Sequence, residues 1–355
     1  MAHLLITGGA GFIGSHCCVA LLEAGHRLLV LDNFANSSPE ALRRVAELGG
    51  LQGGERGPWR DGEGRTQLQL LEGDVRRPAD LDAAFNGAEP IEAVVHFAGL
   101  KAVGESVAEP LRYWDTNLGG SLRLLEAMQR HGCRTIVFSS SATLYGYPEQ
   151  VPIPETAPIR PINPYGHTKA AVEQALADVA ASEPGWRIAR LRYFNPVGSH
   201  PSGRIGEDPE GIPNNLFPFL SQVAVGRRAA LQVFGGDWPT PDGTGVRDYI
   251  HVMDLAEGHR AALDTLLAEE PQLLTVNLGS GRGHSVLEVV QAFEAACGHA
   301  LPVEIVDRRP GDAATTVADP ALAAERLDWR TRCGLAEICR DGWAWQSANP
   351  RGYGP

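Results

Sequence analysis

Lysine is nearly missing from this chain. Of its 31 cationic residues, two are lysine, Lys101 and Lys169, and 29 are arginine. Positive charge is in deficit altogether: 43 acidic residues leave a formal net charge of −12. That balance argues against sequence-independent binding to nucleic acid and against adhesion to an anionic membrane surface. An anionic ligand must therefore be held by local arginines and helix ends. Long apolar runs are missing as well, since none reaches the roughly 20 residues of a membrane span. The first residues, Met-Ala-His, lead straight into an apolar strand pattern without a basic segment or cleavage signal. The six cysteines show no metal-ligand spacing. Cys17 and Cys18 are adjacent in an expected helix, which suits core thiols better than a disulfide. His251 and His284 have no second or third ligand at useful spacing, so no metal site is expected. These absences point to a cytoplasmic protein with reduced cysteines.

What remains is 355 residues, 43% apolar and 21% charged, enough for a large core and two domains or lobes. Against the near absence of lysine, Asn163-Pro-Tyr-Gly-His-Thr-Lys169 stands out. Tyr165 and Lys169 are four residues apart, which on a helix places them on one face a turn apart. Asn163 suits the cap, Pro164 the first turn, and Ala170 to Ala181 continues with good helix formers. With 7 tyrosines and two lysines, random placement gives about 0.04 such pairs, so the spacing is read as a site. A neighbouring cation favours phenolate and is expected to pull the Tyr165 pKa below about 10. Such a phenol can serve as general acid or base.

From the start of the chain, His3–Thr7 reads as a buried parallel strand. Gly8-Gly-Ala-Gly11-Phe-Ile-Gly14 and an apolar helix, Ser15 to Ala24, follow. Strand, glycine turn and helix open a dinucleotide-binding unit, here with GxxGxxG spacing. The next strand, Arg27 to Leu31, ends at Asp32. An acid there can bind both hydroxyls of an adenosine ribose and would repel a 2′-phosphate, which favours NAD over NADP. Pro39 to Leu48 reads as a helix, and Gly49 to Arg65 as an exposed loop without assigned chemistry. Strands recur at Leu68 to Leu71, Ala93 to Phe97, Thr135 to Phe138 and Arg187 to Arg192, with helical patterns between. The expected fold is α/β: a Rossmann-type, doubly wound parallel sheet with a smaller α/β C-terminal substrate domain. Ligands in such sheets lie at the carboxyl ends of the strands.

The segments at those ends carry a resemblance. Phe97-Ala-Gly-Leu-Lys-Ala-Val-Gly-Glu-Ser106, Ser139-Ser-Ser-Ala-Thr-Leu-Tyr145 and Tyr165-Gly-His-Thr-Lys169 resemble the UDP-glucose 4-epimerases, which are extended short-chain dehydrogenases/reductases. It continues through Leu191-Arg-Tyr-Phe-Asn-Pro196, Gly206 to Leu216, Gly245-Val-Arg-Asp-Tyr-Ile-His251, Arg308 to Asp312 and Trp343-Ala-Trp345. Phe12, where a tyrosine is common, and the long Gly49 to Arg65 loop depart from the pattern.

The resemblance implies a catalytic set of Tyr165, Lys169 and Ser141, with Ser139 and Ser140 as competing serines. It implies NAD held by Gly8, Gly11, Phe12, Ile13 and Gly14, by Asp32, Asn33, Asn36 and Ser37 on the adenosine side, and by Asp74 and Val75 at the adenine. Phe97, Ala98, Gly99, Lys101, Asn117, Ser139, Tyr193 and Phe194 complete the cofactor set. A UDP-hexose is implied at Ser141, Asn195, Asn215, Leu216, Gln232, Phe234, Arg247, Tyr249, Arg309, Asp312 and Thr316. Arg247 and Arg309 can fork onto a diphosphate, whereas Arg308 and Arg228 are expected only in surface ion pairs. The domains implied are 1–195 for NAD, with a return contribution from about 245–279, and 196–355 for the nucleotide sugar.

The implied activity is interconversion of UDP-glucose and UDP-galactose by C4 oxidation, rotation of the 4-keto sugar and re-reduction. Thr316 stands where epimerases restricted to plain hexoses resemble one another in carrying tyrosine, so UDP-GlcNAc and UDP-GalNAc are expected substrates too. The alternatives are a nucleotide-sugar 4,6-dehydratase or decarboxylase, and a catalytically silent NAD-binding protein. A dehydratase pattern places an Asp-Glu pair after the strand that here ends in Ser139-Ser-Ser-Ala-Thr143, where no carboxylate stands. A homodimer is expected through the helices near Leu111 to Arg130 and Tyr165 to Ala181, with Leu118, Leu122, Leu125, Val172 and Leu176 as candidate contacts.

Overall fold

The computed structural model describes every residue except Pro310 and Pro355. Its strands in chain order are β1 (His3–Thr7), β2 (Arg27–Asp32), β3 (Trp59–Arg60), β4 (Thr66–Glu72), β5 (Ala93–His96), β6 (Thr135–Ser139) and β7 (Arg187–Tyr193). They continue with β8 (Asn195–Val197), β9 (Leu231–Phe234), β10 (Val246–His251), β11 (Leu273–Leu278), β12 (Gly283–Ser285), β13 (Val303–Val306) and β14 (Thr315–Thr316). Eight form one sheet in the order β11-β7-β6-β5-β1-β2-β4-β3. All neighbours are parallel except β3 and β4.

The burial pattern explains why these runs are strands of a doubly covered sheet. Leu4 and Ile6 pack into one core cluster with Leu28, Val30, Val95 and Val137. Leu5 between them packs into the other, with Leu29, Leu31, Val94 and Ile136. Alternate side chains thus enter opposite faces, and both faces are apolar because helices cover both. Strand order reverses at β1, with β2 on one side and β5 on the other. A crevice opens at the carboxyl ends of such strands.

Helix Pro39–Leu48 has the bounds its sequence predicts, with the Ser38 side chain accepting from Glu40 N. The helix after the glycine turn starts earlier than expected, at Phe12. Leu111 to Arg130 is more irregular than its pattern suggests. Pro110–Tyr113 is a short α-helix, Trp114–Gly119 a π-helical turn and Gly120–Arg130 an α-helix. From the first turn of the following helix, the Ser121 hydroxyl donates back to the Asn117 carbonyl of that turn at 2.5 Å. A side chain there competes for the carbonyl that an α-helix would use, which favours the wider turn.

The remaining strands build the second half. β10 lies between β12 and β14 and also pairs with β8; β9 pairs with β13. The chain crosses back twice: helix Val252–Ala268 packs on helix Phe12–Glu23 and β11 joins the edge of the large sheet, and later helix Ala321–Leu327 packs on both β11 and helix Val252–Ala268. Among the described residues no helix is long and apolar enough to cross a membrane. All six cysteines are free.

Two expectations change. The Gly49 to Arg65 segment is more than an exposed loop, because β3 adds an antiparallel strand to the sheet edge and buries Trp59 against the core. A short hairpin covers the unpaired edge that β4 would otherwise present. Of the candidate dimer contacts, Leu125, Val172 and Leu176 face the sheet instead, inside its second core cluster. Leu118 is half-buried against that cluster. Leu122 remains exposed, as do Val103, Val107, Leu111 and Trp114 on the helices before it. Trp59→Ala should cost about 3–5 kcal/mol, seen as a lower urea midpoint at unchanged slope. A loss below about 1 kcal/mol would contradict the edge-strand role.

Candidate active site

One cleft runs along the carboxyl ends of the large sheet. It is walled by Gly8, Gly11, Phe12, Ile13 and Gly14, by Asp32, Asn33, Asn36 and Ser37, by Asp74 and Val75, and by Phe97, Ala98, Gly99 and Lys101. Ser139, Tyr165, Lys169 and Tyr193 line the same cleft. The fold therefore gathers all but two of the sequence-predicted cofactor residues on one wall. Asn117 and Phe194 are the two found behind it. Asn117 is buried, accepting from Leu100 N at 2.7 Å and donating to Thr168 Oγ1 at 3.0 Å. Phe194 packs in a small cluster with Ala142, Tyr145, Ile153 and Ala318.

The glycine turn is shaped by close approach. A side chain at Gly8, whose φ is +71°, would sit 2.7 Å from Ala98 N, and one at Gly14 would overlap the Gly8 carbonyl. Gly11 has no such neighbour: a Cβ there meets nothing nearer than the Gly8 carbonyl at 3.4 Å. Gly11 is the N-cap of helix Phe12–Glu23, without a side-chain cap and without an acid in the first turn. Backbone N–H groups at that end are free for an anion.

Asp32 organises the next turn. Its carboxylate accepts from Ala10 N, Phe34 N and Ser37 Oγ at 2.8–2.9 Å. Burial raises its pKa, and those three donors pull it back. Asn33 donates to Asp74 at 3.0 Å, tying the ends of β2 and β4 together. Arg76 beside Asp74 holds that carboxyl well below its ordinary range. Lys101 is paired with Glu207 at 2.6 Å.

At the far end stand Tyr165, Lys169 and Ser141. Helix Pro164–Ser182 starts as its sequence predicts, with Asn163 Oδ1 accepting from Gly166 N at 2.8 Å. Tyr165 and Lys169 are 5% and 6% exposed. Lys169 Nζ donates to the Ser139 carbonyl at 2.8 Å and lies 4.8 Å over the Phe138 ring. Burial lowers its pKa to about 8, against an opposing pull from Glu173. Ser141 Oγ accepts from Thr143 N at 3.2 Å and from Thr143 Oγ1 at 2.9 Å. With two donors on its oxygen, its own hydrogen is the part left to give.

The expected lowering of the Tyr165 pKa differs from what the structure supports. Burial raises it, Tyr193 adds to the rise, and the pull in the other direction comes from the Ser141 hydroxyl. Lys169 contributes little because its ammonium is directed at Ser139, with the Tyr165 ring centre 6.0 Å away.

Sequence reasoning missed what holds this end in place. Glu173, one turn beyond Lys169, is 1% exposed. It accepts from Ser140 Oγ at 2.6 Å and from Arg192 through Nε at 3.0 Å and Nη2 at 2.6 Å. Arg192 also reaches Tyr145 and the Glu155 carbonyl. The readable signal was an acid set among apolar residues, one helical turn after Lys169.

The second half brings together most of the remaining predicted residues. Register sets Tyr249 opposite Asn195 and Arg247 opposite Thr316 on either side of β10. Arg309 pairs with Asp312 at 3.0 Å, Arg247 approaches the same oxygen at 4.0 Å, and Arg309 lies 5.3 Å over the Phe234 ring. Gln232 and Phe234 are exposed on β9, while Asn215 caps helix Leu216–Ala224. Arg308 pairs with Asp237 over the Trp238 ring, and Arg228 with Gln222 over Phe219. Among the described residues no group of His, Cys, Asp and Glu is arranged for a metal.

Glu173→Gln leaves Arg192 buried without its counter-charge and should cost about 3–5 kcal/mol. It also removes the charge that keeps the Lys169 pKa up. Lysine-selective ¹³Cε NMR gives two resonances in this protein, so Lys169 can be titrated directly. Its midpoint should move from near 8 to a lower pH in the variant; an upward or absent shift contradicts the coupling.

A sequence profile of the NAD dependent epimerase/dehydratase family matches residues 4–279. The chain is 54% identical over 350 residues to the UDP-glucose 4-epimerase of Bacillus subtilis (strain 168), covering 99% of this chain and 98% of that protein. It is 52% identical to UDP-glucose 4-epimerase 1 of Oryza sativa subsp. japonica, covering 99% and 96%. The crystal structure of UDP-glucose 4-epimerase from Bifidobacterium longum, in complex with NAD+ and UDP, superposes with a TM-score of 0.91 at 46% identity, covering 99% of each chain. The UDP-Glc/GlcNAc 4-epimerase from Campylobacter jejuni superposes at 0.81 and 33% identity, covering 98% of this chain and 100% of that one. On matched length and identity, this chain belongs to the NAD dependent epimerase/dehydratase family.

Proposed function

We propose that this chain interconverts UDP-glucose and UDP-galactose with a tightly held NAD. The observation that carries the reading is one cleft with the Asp32 turn along its wall and Tyr165 and Lys169 lining it as well. The cradle fits NAD: an uncapped helix end for the pyrophosphate, Gly11 open to close approach, and a buried carboxylate for ribose hydroxyls. When bound, NAD supplies a reversible two-electron acceptor for the sugar C4–H bond.

The protein's share is the O4 proton and the grip on the substrate. Tyr165 exchanges that proton, with Ser141 donating to the phenol oxygen as negative charge forms on it. Lys169 brings a cation to the same wall, where low dielectric strengthens it. Inverting C4 requires the hexose to present both faces in turn, so the grip belongs on UDP. Arg247 and Arg309 offer two planar forks for the diphosphate. Asp312, Asn195, Asn215, Leu216, Gln232, Phe234 and Tyr249 complete that grip. We assign residues 1–195, with a return segment of about 245–279, to the cofactor lobe and 196–355 to the sugar lobe.

Thr316 is small and half-buried beside Arg247. It leaves room at C2 of the hexose for an acetamido group, so UDP-GlcNAc and UDP-GalNAc belong to the substrate range. A steric block changes discrimination more than an added contact of about 1–3 kcal/mol does. A panel of UDP-sugars with product identification tests both ideas. Purified protein should convert UDP-galactose without added NAD, and Tyr165→Phe should lower kcat/KM by about 10²–10⁴. Thr316→Tyr should lose the N-acetyl pair and keep the plain hexoses. Water or carbon dioxide lost from the product would overturn the epimerase reading, and N-acetyl turnover surviving Thr316→Tyr would overturn the role of Thr316.

We further infer a cytoplasmic homodimer. Six free cysteines suit a reducing compartment. Val103, Val107, Leu111, Trp114 and Leu122 are exposed apolar side chains on successive helices, the kind of surface a closed two-fold contact would cover. Light scattering should give about twice the 38.0 kDa chain mass; a monomer at micromolar concentration would reject the pairing.

A further inference from the structure

Part of the cleft wall comes from the far end of the chain. Gly206, Glu207, Asp208, Pro209 and Tyr353 line the same cleft as Asp32 and Tyr165. The 206–209 stretch lines this cleft together with the glycine turn and the Asp32 turn, so a dinucleotide lying in the cleft passes beside it. Two sets of contacts pin it. From the large-sheet side, Lys101 pairs with Glu207, Asn36 Oδ1 accepts from Glu210 N at 3.2 Å, and Glu47 pairs with Arg204. From the other side, Tyr353 OH exchanges hydrogen bonds with Gly206 N and O, both at 3.2 Å. Tyr353 N donates to Asp208 Oδ2 at 2.8 Å, and Trp345 Nε1 to the Glu207 carbonyl at 3.3 Å.

Arg44 joins the two sets. It sits on helix Pro39–Leu48, directly after the Asn36–Ser38 turn of the cleft. Its guanidinium lies 5.6 Å from the Trp345 ring centre and 5.2 Å from that of Tyr353, and those rings are 4.8 Å apart. It also donates to the Arg204 carbonyl at 3.0 Å and to Asn349 Oδ1 at 2.7 Å. One half-buried cation thus holds the first half of the protein to both the 204–209 stretch and the 345–353 stretch that backs it. Attraction of a cation to two aromatic faces, strengthened by partial desolvation, suits a contact that closes and reopens.

We propose that Arg44 and Tyr353 form a latch that keeps the 206–209 wall against bound NAD and sets how slowly NAD leaves. The proposal rests on the NAD reading above, and Arg44 and Tyr353 act in it as positioning residues. NAD release from loaded protein is measured by trapping free NAD with an excess of a second dehydrogenase and its substrate. Arg44→Gln and Tyr353→Ala should each release NAD about tenfold faster than wild type, and Tyr353→Phe about two- to fivefold faster, since it loses only the bonds to Gly206. Arg260→Ala, on helix Val252–Ala268 and paired with Glu257 and Asp264, serves as control and should match wild type. UDP release, read in the same samples, should stay within about twofold of wild type; general loosening would speed both. If wild type holds NAD and Arg44→Gln and Tyr353→Phe release it at the wild-type rate, the latch is overturned. Equal acceleration of UDP and NAD release overturns it as well. A wild-type protein that neither carries nor binds NAD overturns the cofactor reading itself.

Discussion

The Tyr165–Lys169 end of the cleft depends on one buried carboxylate, Glu173. Glu173 joins three elements at one point: the turn after β6 through Ser140, strand β7 through Arg192, and the helix that carries Tyr165 and Lys169. Burying an acid and a guanidinium is costly and is repaid only when the remaining lone pairs and protons are filled. Here they are, by Ser140, Tyr145 and the Glu155 carbonyl. The arrangement places one negative charge a helical turn behind Lys169. Without it, burial alone would press the ammonium further toward neutrality. The network therefore fixes both the position and the charge of the group beside the phenol.

The framework was largely readable from sequence because periodicity is local. Strands β1 and β2, the helix Pro39–Leu48 and the capped start at Asn163 all follow from short patterns and turn chemistry. The cleft wall was readable too, since strand ends carry the ligand residues in this architecture. What escaped was non-local or subtractive. The Gly49–Arg65 stretch is so rich in glycine and charge that a single buried Trp59 gave no periodic signal. The π-turn at Trp114–Gly119 depends on one hydroxyl competing for one carbonyl. Arg192 and Glu173 are 19 residues apart, so neither pattern nor composition pairs them. The expected effect of Lys169 on Tyr165 failed for a geometric reason: helical spacing sets which face a side chain shares, while the Ser139 carbonyl sets where its charge points.

Strand β10 does for the second half what β1 does for the first. It is paired with β8, β12 and β14. Because register is fixed by those ladders, Arg247 and Tyr249 are delivered to Thr316 and Asn195 without any long side chain having to search. The strand then runs at His251 into helix Val252–Ala268, which packs on the helix of the glycine turn. One strand and helix thus connect the Thr316 and Asn195 pairings to the helix of the glycine turn.

The scarcity of lysine now has a physical reading at one position. The Lys169 head has one backbone acceptor, the Ser139 carbonyl, and an aromatic face beneath it, with the rest of its surroundings either buried or cleft. An arginine there would bring five donors to a place with a single fixed acceptor, and a buried unpaired donor costs about 1–3 kcal/mol. It would also keep its charge at every accessible pH, whereas burial holds the Lys169 ammonium at about 8. A compact group that can adjust its charge suits the proton exchange proposed for the neighbouring phenol. In a chain that otherwise uses arginine almost without exception, the site permits only the other cation.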